Sequence, residues 1–157
     1  MTPSKPNSGG QQIHLRSCGL ITKGDHLLLV QLRSPVRENP IWIPPGGRPK
    51  PGEPVRAALE REITEETGLT VCSGRLSFIH QLIEFPLHAL EFYFLCEVTG
   101  GELKLGNDPE RNSEGQILLD LAYIPFGRLS ELAVYPEILR ERAEELTRPN
   151  GEVVTLM

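Results

Sequence analysis

The chain has 157 residues, a formal net charge of −5 and 24% charged residues. That length suits one domain with a single core, and the acidic balance argues against general nucleic-acid binding, which needs clustered Lys and Arg to neutralise phosphates. The three cysteines, Cys18, Cys72 and Cys96, form no CxxC pair and suggest neither a zinc site nor a disulfide framework, and no apolar run reaches the length of a membrane span.

Residues 1–12 are rich in Pro, Ser and Gly and lack an apolar signal-peptide core. They read as a flexible tail, with the cytoplasm as the default location. The domain spans residues 13–147. Residues 14–21 and 27–32 read as strands, and the turn chemistry of Lys23, Gly24 and Asp25 predicts that they form a hairpin. A polar loop over 34–40 leads to a short strand, 41–43, which ends at residues 44–47, Pro-Pro-Gly-Gly.

A helix is expected over 54–67. Pro54 fits its first position, Glu53 sits at or beside the N-cap near the positive end of the dipole, and Gly68 stops it. Strands follow over 70–84, continuous or broken, and over 90–98, with a turn at Gly100 and Gly101. A polar loop over 103–115 precedes a strand over 116–124. A short helix over 126–132 and a longer one over 136–146 complete the domain. Residues 148–157 read as a tail or an edge strand. Interleaved strands and helices favour a mixed sheet with helices packed on it.

The helix over 54–67 carries an anomaly. At about 100° per residue, Val55, Ala58, Leu59 and Ile63 form one apolar stripe. Glu62 and Glu66 fall inside that stripe and Glu65 lies on its edge, where ordinary patterning excludes carboxylates. Either the glutamates reach solvent at the rim, or hard oxygen ligands gather there for a divalent cation such as Mg²⁺ or Mn²⁺. Gly46 and Gly47 precede the helix and allow close backbone approach. Arg61 either orients a glutamate through a bidentate contact or is a plain surface arginine.

The spacing is Gly47, five residues, Glu53, seven residues, Arg61-Glu62-Ile63, one residue, Glu65-Glu66, one residue, Gly68-Leu69. Seven fixed residue types at that spacing would match by chance at on the order of one in 10⁸–10⁹ starting points. The pattern resembles a complete Nudix box, and residues 42–47 and 123–126 resemble the family's usual entry and exit. The resemblance implies an α/β protein with the Nudix fold, an α/β/α sandwich around a mixed central β-sheet. It implies a pyrophosphohydrolase that uses Mg²⁺, with Mn²⁺ as a substitute, to activate water against a diphosphate bond in a nucleoside diphosphate linked to a further moiety. ADP-ribose, sugar nucleotides and normal or oxidised nucleoside triphosphates are candidate substrates.

By the same resemblance, Glu65 and Glu66 are the leading metal ligands, Glu62 is a ligand or proton acceptor, and the Gly46 carbonyl completes the shell. Glu53 anchors the loop and pairs with Arg61. Glu114 is a candidate additional ligand or general base; the plainer alternative is a solvated loop glutamate. Outside the box the signal fades. Trp42 is a candidate for stacking on a base, as are Phe85, Phe92 and Tyr93, with core packing the plainer alternative. Arg33 and Arg48, with Arg37 and Lys50, are candidates to hold phosphates or are solvated surface residues. His80 and His88 are expected in structural or loop positions. The partner expected is a small nucleotide, with neither nucleic acid nor membrane involved. Such proteins are often homodimers, and the sequence leaves that open. A non-catalytic nucleotide sensor on the same fold is the alternative, and it predicts lost acidic positions, whereas Glu62, Glu65 and Glu66 are all present.

Overall fold

The computed structural model describes residues 12–33, 37–106 and 117–156. Nine strands and two α-helices follow one another among these: β1 (His14–Leu20), β2 (Thr22–Lys23), β3 (His26–Arg33), β4 (Ile41–Ile43), β5 (Gly46–Gly47), α1 (Val55–Thr67), β6 (Leu69–Glu84), β7 (Leu87–Gly101), β8 (Ile117–Pro125), α2 (Leu139–Leu146) and β9 (Val154–Leu156). A 3-10 helix, Phe126–Glu131, joins β8 to the turn before α2. No described helix is long and apolar enough to cross a membrane.

The strands form two sheets. The first is mixed, in the order β5-β1-β7-β6-β9, with β1 parallel to β7 and β9 parallel to β6. In the second, β8 runs antiparallel to β3 from Pro125 to Ile117, while β2 and β4 also pair with β3. The hairpin expected between residues 14–21 and 27–32 therefore does not form. The tight turn at Gly24 joins β3 only to the short β2, and β1 belongs to the other sheet. Both long strands are apolar enough to be central, so pattern alone could not assign their partners. The C-terminal residues do form an edge strand, with Val154 opposite Phe78.

Alternation along the strands sends side chains to two cores. On one side Leu28, Phe94, Leu69 and Val71 meet Leu59 and Ile63 of α1. On the other side Cys18, Leu27, Leu29, Phe78 and Tyr93 meet Leu129, Leu139, Ala143 and Leu146 of the 3-10 helix and α2. Helix, strands and helix thus stack as an α/β/α sandwich. α1 lies close to the first sheet because Gly19 is beneath it: a Cβ there would stand 2.5 Å from Ile63 Cδ1.

α1 begins one residue later than expected. Pro54 is its N-cap, with extended backbone and no side-chain cap, so Glu53 stands outside the helix and is drawn elsewhere. Gly68 ends the helix in the left-handed conformation with φ 74°. α2 is shorter than the sequence suggests, because residues 136–138 form a turn before it.

Candidate active site

Arg61 organises the acidic face of α1. Its Nε and Nη2 both donate to the Glu53 carboxylate at 2.8 Å, the fork geometry that arginine alone supplies. Its Nη1 donates to Glu62 at 3.1 Å and to Glu65 at 3.2 Å. One guanidinium thus gathers three carboxylates, and this explains where Glu53 goes. Glu53 also accepts from the Lys50 amide at 3.0 Å, which pins the loop before the helix. The Arg61 hydrogen bonds, with that of the Lys50 amide, hold the Glu53 carboxyl down at about 2. Burial pushes Glu62 above the ordinary carboxylate value of 4.5, and the Arg61 charge only partly offsets it.

The glycine pair makes room for these carboxylates. A Cβ on Gly47 would stand 2.5 Å from Glu62 Cδ and 2.8 Å from both its oxygens. The Gly46 amide donates to Glu66 at 3.4 Å. Gly46 itself is pressed against β1, where a Cβ would stand 2.2 Å from the Ser17 carbonyl oxygen. So the acidic face of α1 overhangs the edge strand β5. Burying Leu59 and Ile63 contributes about 1.5–3 kcal/mol each, which holds the helix down despite mutual repulsion of its glutamates. Glu60 adds a brace, accepting from the amide and hydroxyl of Ser73 at 3.0 and 2.9 Å.

Glu62, Glu65, Glu66 and the Gly46 carbonyl are hard oxygen donors of the kind that hold Mg²⁺ or Mn²⁺, and the absent Cβ of Gly47 leaves space beside Glu62. Among the described residues, no three His, Cys, Asp or Glu side chains already close around one point. Arg61 draws Glu62 and Glu65 to itself, so gathering a metal requires these carboxylates to turn. At the C-terminal end of α1 the amides of Lys104 and Gly106 donate to the carbonyls of Thr67 and Glu66 at 2.8 and 3.0 Å, so the chain after β7 seals this end. Glu114 lies outside the described residues.

A cleft opens on the opposite face of the first sheet, and residues 44–48 border both it and the acidic face. Pro44 and Arg48 line the cleft, together with Arg16, Arg37, Ile41, Ile43, His80, Leu82, Glu84, Glu91, Tyr93 and Tyr135. Its mouth is bridged by Arg37, which pairs with Glu84 at 2.7 Å and lies 4.0 Å over the Tyr135 ring. Arg48 stands at the boundary between cleft and acidic face.

Other residues singled out from the sequence fall elsewhere. Trp42 packs against the core under α2, while its neighbours Ile41 and Ile43 line the cleft, as strand alternation requires. Trp42 is not among the residues that line the cleft. Arg33 is exposed at the end of β3 beside Ile117 and does not line the cleft. Tyr93 is stacked on Phe78 in the core with centroids 4.2 Å apart, Phe92 packs on the α1 side, and Phe85 is 84% exposed at the tip of the β6–β7 turn. Sequence reasoning passed over Arg16, Glu91 and the cleft-facing role of His80. Their signal was a lone polar residue on an otherwise apolar strand face: Glu91 between Ala89 and Tyr93, and His80 between Phe78 and Leu82. Cys18 is buried and its thiol is pushed up to about 12, which removes it as a nucleophile at neutral pH.

The NUDIX domain family model matches residues 13–148. The chain belongs to the Nudix family. It is 35% identical over 95 residues to an ADP-ribose pyrophosphatase of Methanocaldococcus jannaschii, covering 57% of this chain and 54% of that protein. It is 36% identical over 72 residues to an 8-oxo-dGDP phosphatase of Mus musculus, covering 46% of this chain and 21% of that protein. The chain thus spans about half or less of these curated relatives. The fold is shared with the crystal structure of a MutT protein from Methanosarcina mazei, with a TM-score of 0.69 at 19% identity over 90% of this chain and 98% of that one.

Proposed function

We propose that this Nudix protein is a pyrophosphohydrolase that cleaves a diphosphate bond in a nucleotide-linked substrate with the help of Mg²⁺ or Mn²⁺. One observation carries the reading: Glu62, Glu65 and Glu66 lie on one face of α1 against the Gly46–Gly47 edge, and that edge also borders a cleft of partly apolar character. Glu62, Glu65, Glu66 and the Gly46 carbonyl would hold that cation, which when bound would neutralise the diphosphate and lower the pKa of an attacking water. Glu62 would accept a proton from the attacking water, since the absent Cβ of Gly47 leaves space beside its carboxylate. Arg61 and Glu53 are positioning residues that hold the loop and helix in register. Arg48 contacts phosphate, and the cleft takes the nucleoside. The chemistry leaves no covalent enzyme intermediate. The named relatives, one acting on ADP-ribose and one on 8-oxo-dGDP, support a diphosphate substrate and leave its second half open.

A hydrolysis panel tests this reading. ADP-ribose, sugar nucleotides and nucleoside di- and triphosphates would be offered with Mg²⁺, with an EDTA control and the Glu66→Gln variant. We expect hydrolysis of at least one compound, its loss in EDTA, and a fall in kcat of about 10²–10³-fold in the variant. Turnover that survives EDTA, or a fully active Glu66→Gln, would overturn the assignment.

A further inference from the structure

Three rows of side chains cross the first sheet along the cleft. The register of β1, β7 and β6 sets them as His14, Ala89 and Leu82, then Arg16, Glu91 and His80, then Cys18, Tyr93 and Phe78. The middle row is the anomaly. Arg16 and Glu91 are each only 9% exposed. Glu91 accepts from His80 Nδ1 at 2.9 Å on one oxygen and faces Arg16 Nε at 3.7 Å on the other. A buried charged row costs more than an apolar row of the same volume, and the chemistry derived above uses neither Glu91 nor His80. Polar groups set into the floor of an apolar cleft are the usual means of reading a ligand's orientation.

The row has a defined polarity. His80 directs Nδ1 at the carboxylate, so Glu91 is held in place as an acceptor, and the guanidinium of Arg16 supplies donors at its side. Ile41, Ile43 and Leu82 line the cleft around it and offer a base apolar surface. The complementary edge has a ring N–H beside a carbonyl. Among the purines, guanine and hypoxanthine present that edge, whereas adenine sets a ring acceptor against the carboxylate. We infer that Glu91, oriented by His80 and flanked by Arg16, selects the base, so that the cleft takes a guanine-type nucleotide in preference to an adenine nucleotide. This inference rests on the nucleotide-hydrolase reading above and names the base, which that reading does not specify.

Titration calorimetry with GMP, IMP and AMP in the presence of Mg²⁺ tests it without requiring turnover. GMP and IMP are expected to bind about tenfold or more tightly than AMP. Glu91→Gln should bring that ratio to within about twofold, mainly through lost GMP affinity. Should Glu91→Gln fail to fold, His80→Phe removes the bond that orients the carboxylate and should lower the same ratio at least about threefold. A merely structural row would weaken GMP and AMP alike, and an unchanged ratio, tighter AMP, or no mononucleotide binding beside an active hydrolysis panel would overturn this inference while sparing the hydrolase. Silence in both the panel and the calorimetry would sink the two together.

Discussion

The acidic face of α1 and the cleft behind it are built in opposite ways. The first is local: Glu53, Arg61, Glu62, Glu65 and Glu66 lie within one loop and one helix, and a single guanidinium gathers three of the carboxylates. The second is long-range: Arg16, Glu91 and His80 become neighbours only when β1, β7 and β6 pair. Residues 44–48 are the hinge of the comparison, since they touch both. The local part can be broken by changing one glycine, whereas the cleft depends on the register of three strands.

The largest effects should therefore come from the glycine pair, and they should differ in kind. In Gly47→Ala the new Cβ meets the far end of the Glu62 side chain at 2.5 Å, which can turn away. The protein should fold, and kcat should fall about 10²-fold because a carboxylate has been displaced by about an ångström. In Gly46→Ala the Cβ meets backbone, the Ser17 oxygen at 2.2 Å and Cys18 Cα at 2.7 Å. Backbone cannot step aside, so the cost should appear as stability, about 1–3 kcal/mol or more. Thermal unfolding beside kcat separates the two outcomes. A Gly47→Ala variant with wild-type kcat would show that the Glu62 position is not critical.

A smaller and sharper effect concerns the charges on α1. Burial sets the Glu62 carboxyl above its ordinary 4.5. A group raised in the folded state favours folding below its unfolded value, and that contribution is lost as pH rises through the folded value. Charged Glu62 thus lowers stability at neutral pH, and Glu62→Gln should unfold at higher temperature than wild type at pH 7 while losing about 10²-fold in kcat. Glu53 has the opposite sign. Arg61 holds its carboxyl at about 2, so its contribution is complete above about 4.5 and is lost as pH falls toward 2. Glu53→Gln should be less stable than wild type at pH 7, with the gap closing across that acid window. Calorimetry in EDTA reads both. A less stable Glu62→Gln at pH 7 would mean that the Arg61 hydrogen bond outweighs burial.

The same contrast explains what could be read in advance. The α1 stripe, the Gly68 stop and the anomalous glutamates were legible because helix periodicity and capping act over a few residues. The partner of β1 was not, because strands that are apolar along most of their length do not announce their neighbours. Glu53 lies beside the Pro54 N-cap and takes the fork of Arg61, a charge-assisted contact that outweighs a helix end with only partial charge. Trp42 and the row at Arg16, Glu91 and His80 changed meaning only when the pleat and the pairing showed which face each occupies. Lone polar residues on these strands were visible, but their meeting depended on pairings as much as 75 positions apart in sequence, as for Arg16 and Glu91.

The smallest effects should come from the arginines around the cleft, where the two halves of the site meet. Arg48 and Arg33 looked equivalent in sequence, each a cation near the box. The structure separates them: Arg48 lines the cleft and its carbonyl accepts from Arg61 Nη2 at 3.5 Å, while Arg33 is exposed at the far end of β3. If Arg48 contacts a substrate phosphate, Arg48→Ala should raise KM about tenfold, the worth of one charge-assisted hydrogen bond, and leave kcat within about threefold. Arg33→Ala should change KM by less than about twofold, the scale of a distant charge screened by salt. Both are read from initial rates with the best substrate of the panel, at two ionic strengths. Equal effects would mean that diffuse positive potential, rather than a contact at residues 44–48, draws the diphosphate in, and both should then fade with added salt. A KM change confined to Arg48→Ala and persisting in salt would fix the boundary residue as the point where the nucleoside cleft hands the diphosphate to the acidic helix.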